Sequence, residues 1–407
     1  MNSSLTTTDH DYLKRALELA EGGRGRVSPN PLVGAVIVRD GAVVGEGFHA
    51  ELGGLHAERA ALADCRERGH DPAGATMYVT LEPCAHEGRQ PPCVEALLEA
   101  RIGRVVIGSD DPSEKASGRG PGSLRDGGVE VAFAAGAEAA AARLLNQPFR
   151  KHARTGLPLV RLKLAMSLDG RTATAAGDSP WISGEASREL VHRWRAESDA
   201  IAAGIGTVLA DDPLLTARLP GARQPLRVVF DSEARLPCDS QLLASLDTAP
   251  LLVVTAPDAD PARSSALRDA GAEVLPATGP TPAARVLSAL TDLGRRDITS
   301  LFLEGGPTLA SAFLASDQID ESHTFVAPVL LGSRGGVARA GGPDGETENE
   351  NLARRSPHPG QDPPRRSALS QTVGDAATTG PARLRALETS HEQVGDDLLI
   401  SARYKEW

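Results

Sequence analysis

Apolar and polar residues alternate along the first 150 residues in runs that predict alternating helices and strands. Apolar positions at helical spacing predict a first helix from about Asp9 to Glu21, which ends at two glycines. Two apolar runs on either side of Asp40-Gly41 predict a β-hairpin. The remaining predicted strands and helices of this region are Leu32–Val38, Val43–Phe48, Ala75–Leu81, Val105–Gly108 and Val129–Phe133, and His56–Glu67 and Pro92–Arg101. This alternation predicts an α/β domain over residues 1–150.

A second series of apolar runs begins near Leu157 and predicts another α/β domain, over residues 151–407. Its predicted strands are Leu159–Ala165, Ala200–Ala203, Leu226–Phe230, Leu251–Thr255, Ser300–Leu303 and Leu398–Tyr404. A helix is predicted at Ser187–Ala196, a glycine-containing turn at Gly204–Thr207, and a helix that begins at Pro307. Residues 338–381 are rich in glycine, proline and charge, which predicts a disordered insertion.

Composition narrows the class of protein. A chain of 407 residues is too long for one hydrophobic core, which supports the division into two domains. No apolar run approaches the ~18 residues of a membrane-spanning helix, and the polar start lacks a targeting pattern, so we expect a cytoplasmic protein without membrane partners. The net charge of −11 argues against a nucleic-acid partner, because binding a phosphate backbone requires a basic surface.

The first half contains a candidate zinc site. His56, Cys84 and Cys93 offer three ligands and leave a fourth tetrahedral position for water, as in a catalytic zinc centre. Glu58, two residues after His56, is placed to move a proton beside that water. The pattern matches the H-x-E and P-C signature of zinc deaminases, although eight residues, not two, separate the cysteines. The other two cysteines, Cys65 and Cys238, lack neighbouring ligands and are predicted to be packing residues.

Longer sequence segments around these residues resemble those of a known protein family. PNPLVGAVIV, HAERAAL, YVTLEPCAHEGRQPPC and DDPSEKASGRG closely resemble the bifunctional deaminase–reductases of riboflavin biosynthesis (the RibD type), in which the longer cysteine spacing is the rule. The resemblance implies a cytidine-deaminase-like N-terminal domain that binds one Zn²⁺ through His56, Cys84 and Cys93, with Glu58 as the catalytic proton carrier. It also implies that four residues contact the substrate, namely Asn30, His49, His86 and Arg89.

The resemblance continues through the second half, where the residues alone carry a weaker signal. KLAMSLDGRTA, GDSPWIS, DAIAAGIGTVLADDPLLTAR, VVFDS and LEGGPTL resemble the reductase half of the same family, which implies a dihydrofolate-reductase-like domain that uses NADPH. The implied cofactor-binding residues are Ala165, Trp181, Thr207, Asp211, Ser232, Gly306, Pro307, Thr308 and Leu309. The implied substrate-binding residues are Lys163, Ser179, Arg195, Leu215, Arg218 and Glu304.

The implied activity is a two-step conversion of a small phosphorylated pyrimidine. The first domain would use zinc hydroxide to deaminate 2,5-diamino-6-(5-phosphoribosylamino)pyrimidin-4-one, and the second would reduce the ribosyl side chain with NADPH, giving 5-amino-6-(5-phosphoribitylamino)uracil. We also expect a homo-oligomer, a dimer or a tetramer. Two alternatives stay open at this point: a deaminase of transfer RNA or single-stranded nucleic acid, which shares the zinc chemistry, and a non-enzymatic scaffold with one inactive domain.

Overall fold

The structure is a computed structural model that describes residues 5–88, 90–114, 116–172, 182–332 and 383–407. The insertion predicted at residues 338–381 lies outside these ranges. Within the described residues, no helix combines the length and the apolar character needed to cross a membrane.

The first domain is a five-stranded sheet with helices on both faces. Its strands are β1 (Gly34–Arg39), β2 (Ala42–Phe48), β3 (Thr76–Leu81), β4 (Arg104–Ser109) and β5 (Glu130–Phe133), in the order β2-β1-β3-β4-β5. Its helices are α1 (Thr7–Ala20), α2 (Ala57–Glu67), α3 (Cys93–Glu99), α4 (Arg119–Asp126) and α5 (Gly136–Leu145). Strand β1 is antiparallel to β2 and β3, whereas β3, β4 and β5 are parallel, so their carboxyl ends meet at one edge.

The second domain is a nine-stranded sheet in the order β10-β9-β8-β7-β11-β6-β12-β14-β13. Its strands are β6 (Leu159–Ser167), β7 (Ala200–Gly204), β8 (Leu226–Phe230), β9 (Leu251–Thr255), β10 (Glu273–Pro276), β11 (Ser300–Leu303), β12 (Glu321–Ala327), β13 (Glu388–Val394) and β14 (Asp397–Arg403). Every neighbouring pair from β10 to β12 is parallel, whereas β14 is antiparallel to both of its neighbours, β12 and β13.

Helices cover this larger sheet, and one helix joins it to the first domain. The helices are α6 (Gln147–Thr155), α7 (Glu185–Glu197), α8 (Ile205–Asp211), α9 (Gln241–Ala244), α10 (Pro261–Asp269), α11 (Pro282–Arg295) and α12 (Pro307–Ala315). Two buried apolar clusters line opposite faces of the sheet, one centred on α11 and α12 and the other on α7 and β9. The domain boundary expected after residue 150 falls inside α6.

The apolar patterns predicted most of the strands, because buried parallel strands are continuous apolar runs bounded by turns. Strands β8, β9 and β11 begin and end at the predicted residues. The predicted turn Gly204–Thr207 is wrong: Gly204 caps α8, and the helix starts at Ile205. Helix α4 was not predicted because its glycines and proline disfavour a helix in isolation. Cys65 is buried as expected, but Cys238 is exposed and is not a packing residue.

Candidate functional site

Three segments of the first domain bring the predicted zinc ligands together. His56 is the N-cap of α2, Cys84 lies three residues beyond β3, and Cys93 is the first residue of α3. The His56 Nδ1 atom is 3.6 Å from the Cys84 Sγ and 3.4 Å from the Cys93 Sγ. Zinc–ligand bonds of about 2.0–2.3 Å place tetrahedral ligands roughly 3.6 Å apart, so this donor set fits zinc.

The electrostatics of the cluster favour a metal-binding form. The hydrogen bond from Cys93, together with His56, lowers the pKa of Cys84 despite burial, whereas the same hydrogen bond and burial raise the pKa of Cys93, so Cys84 is the sulfur that more readily becomes a thiolate. All three ligand atoms lie within 4.8 Å of one another. Cys93 is buried at the positive end of α3, where the backbone N–H of Cys93 also donates to the Cys84 sulfur at 3.4 Å.

Glu58 lies in the first turn of α2 with its carboxyl group turned into the same buried space. It is 4% exposed, and burial, together with the negative charge of Cys84, raises its pKa to about 7. A carboxyl group with a pKa near neutrality can both accept and release a proton under physiological conditions. This property matches the role that the sequence predicts for Glu58.

Two predicted substrate residues are joined directly beside the zinc ligands. The His49 Nδ1 lies 2.9 Å from the carbonyl oxygen of Leu55 and therefore carries a proton, which leaves Nε2 as the acceptor of a 3.1 Å hydrogen bond from Asn30. Burial lowers the pKa of His49, so the ring stays neutral. Its ring packs edge-on against His56, with centroids 5.5 Å apart.

His86 lies in the loop between the two cysteines. Its Nδ1 is buried and has no hydrogen-bond partner among the described residues, which leaves a polar atom free for a ligand. Arg89, the fourth predicted contact, lies outside the described residues.

Sequence reasoning missed two buried carboxylates next to this loop, Glu82 and Asp111. Burial raises the pKa of Glu82, and the backbone N–H groups of Gly118 and Gly120 oppose that shift. A Cβ atom on Gly120 would lie 2.0 Å from the Pro83 oxygen, so α4 packs directly on the chain before Cys84. The available signal was Glu82 itself, a charged residue at the end of an apolar strand.

The second domain gathers three of the predicted substrate residues around one partly buried ion pair. Arg195 of α7 donates from Nε and Nη2 to the two oxygens of Glu304, at 2.6 and 2.9 Å. Burial alone would raise the pKa of Glu304, but Arg195 and Lys163 together lower it. Burial lowers the pKa of Lys163, and the charge of Glu304 opposes this. The result is a compact group of charged side chains at the carboxyl ends of parallel strands, where α/β sheets bind ligands.

Leu215, another predicted substrate residue, lies beside this cluster, and so does His192, which the sequence did not predict. Leu215 is buried with a positive φ of 51°, and the carbonyl of the next residue, Thr216, accepts from Arg195 Nη1 at 3.2 Å. Arg218 is exposed. The sequence did not single out His192, which lies one helical turn before Arg195; its buried Nδ1 lacks a partner in the described chain. Ser179 falls among residues that the structure does not describe.

The predicted cofactor residues follow the ends of adjacent parallel strands. Gly306 caps α12, whose first turn contains Pro307, Thr308 and Leu309, and Thr207 lies in the first turn of α8. A Cβ atom on Gly306 would lie 3.6 Å from the Thr207 hydroxyl, so two helix N-termini face each other across β7 and β11. Such ends attract phosphate groups.

The remaining cofactor candidates are spread more widely. Ala165 is on β6, Ser232 is exposed after β8, and Asp211 ends α8 one turn beyond Thr207. Trp181 lies outside the described residues.

Comparisons with known proteins agree with this division. Residues 6–109 match the family model described as the cytidine and deoxycytidylate deaminase zinc-binding region, and residues 158–354 match the RibD C-terminal domain. The riboflavin biosynthesis protein RibD of Actinobacillus pleuropneumoniae is 43% identical over 84% of this chain and 89% of its own length. The corresponding protein of Escherichia coli strain K12 is 40% identical over 80% of this chain and 89% of its own length.

Solved structures show the same relationship. RibD of Acinetobacter baumannii has a TM-score of 0.76 and 36% identity, covering 98% of this chain and 99% of that one. The deaminase/reductase of Thermotoga maritima, whose full description is diaminohydroxyphosphoribosylaminopyrimidine deaminase/5-amino-6-(5-phosphoribosylamino)uracil reductase, has the same TM-score, 33% identity and the same coverage.

Proposed function

Because the chain belongs to the RibD family of riboflavin biosynthesis proteins, we propose that residues 1–150 deaminate 2,5-diamino-6-(5-phosphoribosylamino)pyrimidin-4-one and that residues 151–407 reduce the ribosyl side chain of the product with NADPH. The enzyme is bifunctional: a zinc-dependent deaminase and a reductase in one chain. The observation that carries the proposal is the His56–Cys84–Cys93 donor set with the buried Glu58 beside it.

In the first domain, Glu58 is the residue that moves the proton. Bound zinc, held by His56, Cys84 and Cys93, supplies an activated water at neutral pH. Glu58 accepts the proton released as the water oxygen adds to the amine-bearing ring carbon, and returns it to the nitrogen that leaves as ammonia. Its pKa of about 7 supports both transfers.

Neighbouring residues are placed to contact and orient the pyrimidine. The neutral His49, fixed by Leu55 and Asn30, presents a defined ring orientation beside the zinc ligands. Asn30 retains an amide oxygen, and His86 an unpaired Nδ1, for contacts with the substrate's ring or phosphate. We assign Arg89 to the same substrate on the basis of the resemblance.

In the second domain, the substrate's sugar is proposed to lie against Lys163, Arg195 and Glu304. NADPH, when bound, supplies the hydride that converts the ribosyl group to ribityl. Opening of the ribose ring leaves an oxygen that needs a proton. Lys163 is a partly buried donor, and its lowered pKa makes it release its proton more readily. Glu304 holds Arg195 through two hydrogen bonds, which fixes the guanidinium for the substrate.

The cofactor is proposed to lie at the facing N-termini of α8 and α12. Thr207 and the first turn of α12 offer hydroxyl and backbone N–H groups to its phosphates. Ala165, Asp211, Ser232 and Trp181 complete the proposed cofactor residues, and Ser179, Leu215 and Arg218 the proposed substrate residues.

We further propose that the protein works in the cytoplasm as a homo-oligomer, a dimer or a tetramer. Strand β14, the second strand from the edge of the sheet, leaves Leu398 and Ile400 each 37% exposed, and Leu387 before the edge strand β13 is 64% exposed. Apolar side chains grouped on one sheet surface are typical of subunit contacts.

The proposed function is tested by ammonia release from the purified protein supplied with the diaminopyrimidine nucleotide. The parent should contain about one zinc per chain and release ammonia. After NADPH is added, its absorbance should fall with time as the deaminated product is reduced. Glu58→Gln should reduce ammonia release at least about a hundredfold, because the amide cannot carry the proton.

The matched control is Glu67→Gln, an exposed carboxylate at the other end of α2. It should retain the parent rate. Zinc without ammonia release would move the substrate assignment to another amine, whereas a protein that binds no zinc would refute the deaminase itself. Binding of RNA at moderate salt, detected as a mobility shift in a gel, would favour the alternative of a nucleic-acid substrate.

A further inference from the structure

Helix α6, which joins the two domains, buries a face made of polar side chains. Asn146 just before the helix is 2% exposed, and Gln147, Arg150 and Lys151 within it are 2%, 0% and 1% exposed. Their spacing places them on one side of the helix. Buried polar and charged groups are costly without partners, so the partners of these four residues reveal what the helix holds in place.

The first partners are segments of the deaminase site. The Asn146 side chain pairs with the backbone N–H and carbonyl of Leu32, both at 2.8 Å, two residues beyond Asn30. Arg150 donates from Nη1 to the carbonyl oxygen of Asp110 at 2.8 Å and from Nη2 to its Oδ1 at 3.1 Å. The helix therefore fixes two loops of the first domain.

The other partners belong to the second domain. Arg150 Nε donates to the Trp407 carbonyl oxygen at 2.6 Å, and Gln147 both donates to that oxygen at 3.0 Å and accepts from the Trp407 N–H at 2.8 Å. The Trp407 indole donates to Asp320 at 3.0 Å, and Lys151 donates to the same carboxylate at 2.6 Å. Arg150 is thus held from the reductase side while it holds Asp110.

Asp110 leads directly into the deaminase site. The residue before it, Ser109, accepts a 3.0 Å hydrogen bond from the N–H of Glu82, two residues before Cys84. The residue after it, Asp111, is 8% exposed. Burial raises the pKa of Asp111, and the charge interaction with His86 offsets part of that rise. A displacement of Asp110 would therefore move Asp111 relative to His86, and neither of these two residues is a predicted zinc ligand.

We propose that Arg150 is a positioning residue for deamination: clamped by Trp407 of the reductase domain, it fixes the Asp110–Asp111 segment beside the substrate-binding side of the deaminase site. This proposal rests on the proposed function of the first domain. It makes substrate affinity in that domain depend on contacts supplied by the second domain. Zinc binding and the proton transfer by Glu58 do not depend on it.

The test compares Arg150→Met with Arg154→Met, a matched control one turn later on α6. Arg154 is 41% exposed, and its Nη2 lies 3.9 Å from the Asp110 carboxylate, too far for a hydrogen bond. The readouts are kcat and KM for ammonia release, zinc per chain, and reduction of nucleotide that has already been deaminated.

Arg150→Met should raise the deaminase KM about tenfold with kcat changed less than about threefold, while zinc content and reduction stay at parent values. Arg150→Lys should recover part of the affinity, because it can still donate to the Asp110 carbonyl. Arg154→Met should stay within about twofold of the parent. A folded, zinc-loaded Arg150→Met protein with the parent's KM would overturn the proposal.

A second variant covers the case in which Arg150→Met does not fold. Trp407→Ala removes the indole that anchors Trp407 to Asp320, and amide hydrogen exchange then reports on residues 109–114. Exchange there should be faster than in the parent and in Arg154→Met. Unchanged exchange together with an unchanged KM would also overturn it. If the parent itself released no ammonia, the proposed function would fail, and the exchange result would still decide the role of the clamp.

Discussion

Glu58 is buried and Glu304 is partly buried, and their neighbours move the pKa values of the two carboxyl groups in opposite directions. Burial and the Cys84 thiolate raise the pKa of Glu58 to about 7, whereas Arg195 and Lys163 overcome burial at Glu304 and lower its pKa. The first group can exchange protons near neutral pH, and the second stays charged. Residue type alone gives neither result, since the difference comes from side chains distant in sequence.

The surroundings also shift the pKa of His323 on β12, and this shift can be measured through the pH dependence of the free energy of unfolding. Its ring stacks on Trp194 with centroids 4.5 Å apart, and its Nδ1 lies 2.8 Å from the Ser401 hydroxyl. Burial, reinforced by the charge of Arg161 and opposed by Glu321, lowers its pKa from 6.5 to about 4. Between these values the unfolded chain binds a proton that the folded protein does not, so stability falls as the pH falls from 6.5 towards 4.

Between pH 7.5 and pH 5 the parent should lose about 2 kcal/mol of unfolding free energy through His323. The His323→Gln variant cannot take up that proton, so its loss over the same pH range should be smaller by this amount. Urea unfolding followed by tryptophan fluorescence at the two pH values measures this. His391→Gln, on the exposed strand β13, serves as the control and should show the parent's full pH dependence. Equal losses in the parent and His323→Gln would mean that His323 is not held neutral.

At the scale of elements, the zinc site depends on where two helices begin. His56 caps α2, and Cys93 opens α3 directly after Pro92; the sequence predicts a helix start at both places. Helix α4 follows tertiary contact instead: its glycines disfavour a helix, but Gly120 is the residue small enough to let α4 pack on Pro83.

Two glycines of α4 separate packing from helix propensity. A Cβ atom at Gly120 would lie 2.0 Å from the Pro83 oxygen, whereas one at Gly122 would meet nothing within 4 Å. Gly120→Ala should therefore displace the chain before Cys84 and reduce ammonia release and zinc retention, without affecting reduction of deaminated nucleotide. The measurements are zinc per chain after gel filtration and the two activities.

Gly122→Ala is the matched substitution, with the same added methyl group on the same helix. It should leave both activities intact and stabilise α4 by up to about 1 kcal/mol, because alanine favours helix over glycine. Parent-like zinc retention in Gly120→Ala would contradict the close contact between α4 and Pro83.

At the scale of the whole molecule, each proposed activity is built on its own sheet. The proposed zinc ligands belong to the domain of the five-stranded sheet, which has its own buried core, and the Lys163–Arg195–Glu304 group belongs to the domain of the nine-stranded sheet. Removing zinc should therefore abolish one activity and spare the other. Dialysis against a chelator should lower ammonia release at least about a hundredfold while reduction of deaminated nucleotide continues at the parent rate.

Restoring zinc to the dialysed protein provides the control. Ammonia release should return with about one zinc per chain, and reduction should not change. A reductase activity that disappears with the metal and returns with it would show that the second domain depends on the folded zinc site, contrary to the separation of the two cores.

The sequence by itself predicted the fold class and most strands, and it singled out His56, Cys84, Cys93 and Glu58, which the structure brings together. Those features depend on short-range signals: apolar runs, caps, turns and a metal donor set whose chemistry is local. Residues such as Ala165 and Thr207 followed only from resemblance, because no local pattern distinguishes a ligand contact from packing. The tertiary structure alone decided which charges meet. Arg195 binds Glu304, which is 109 positions away in the sequence. Arg150 binds Asp110 and Trp407, which are 40 and 257 positions away. Such pairings arise only when the sheets and α6 are packed, since burial makes unpaired charges costly and selects their partners.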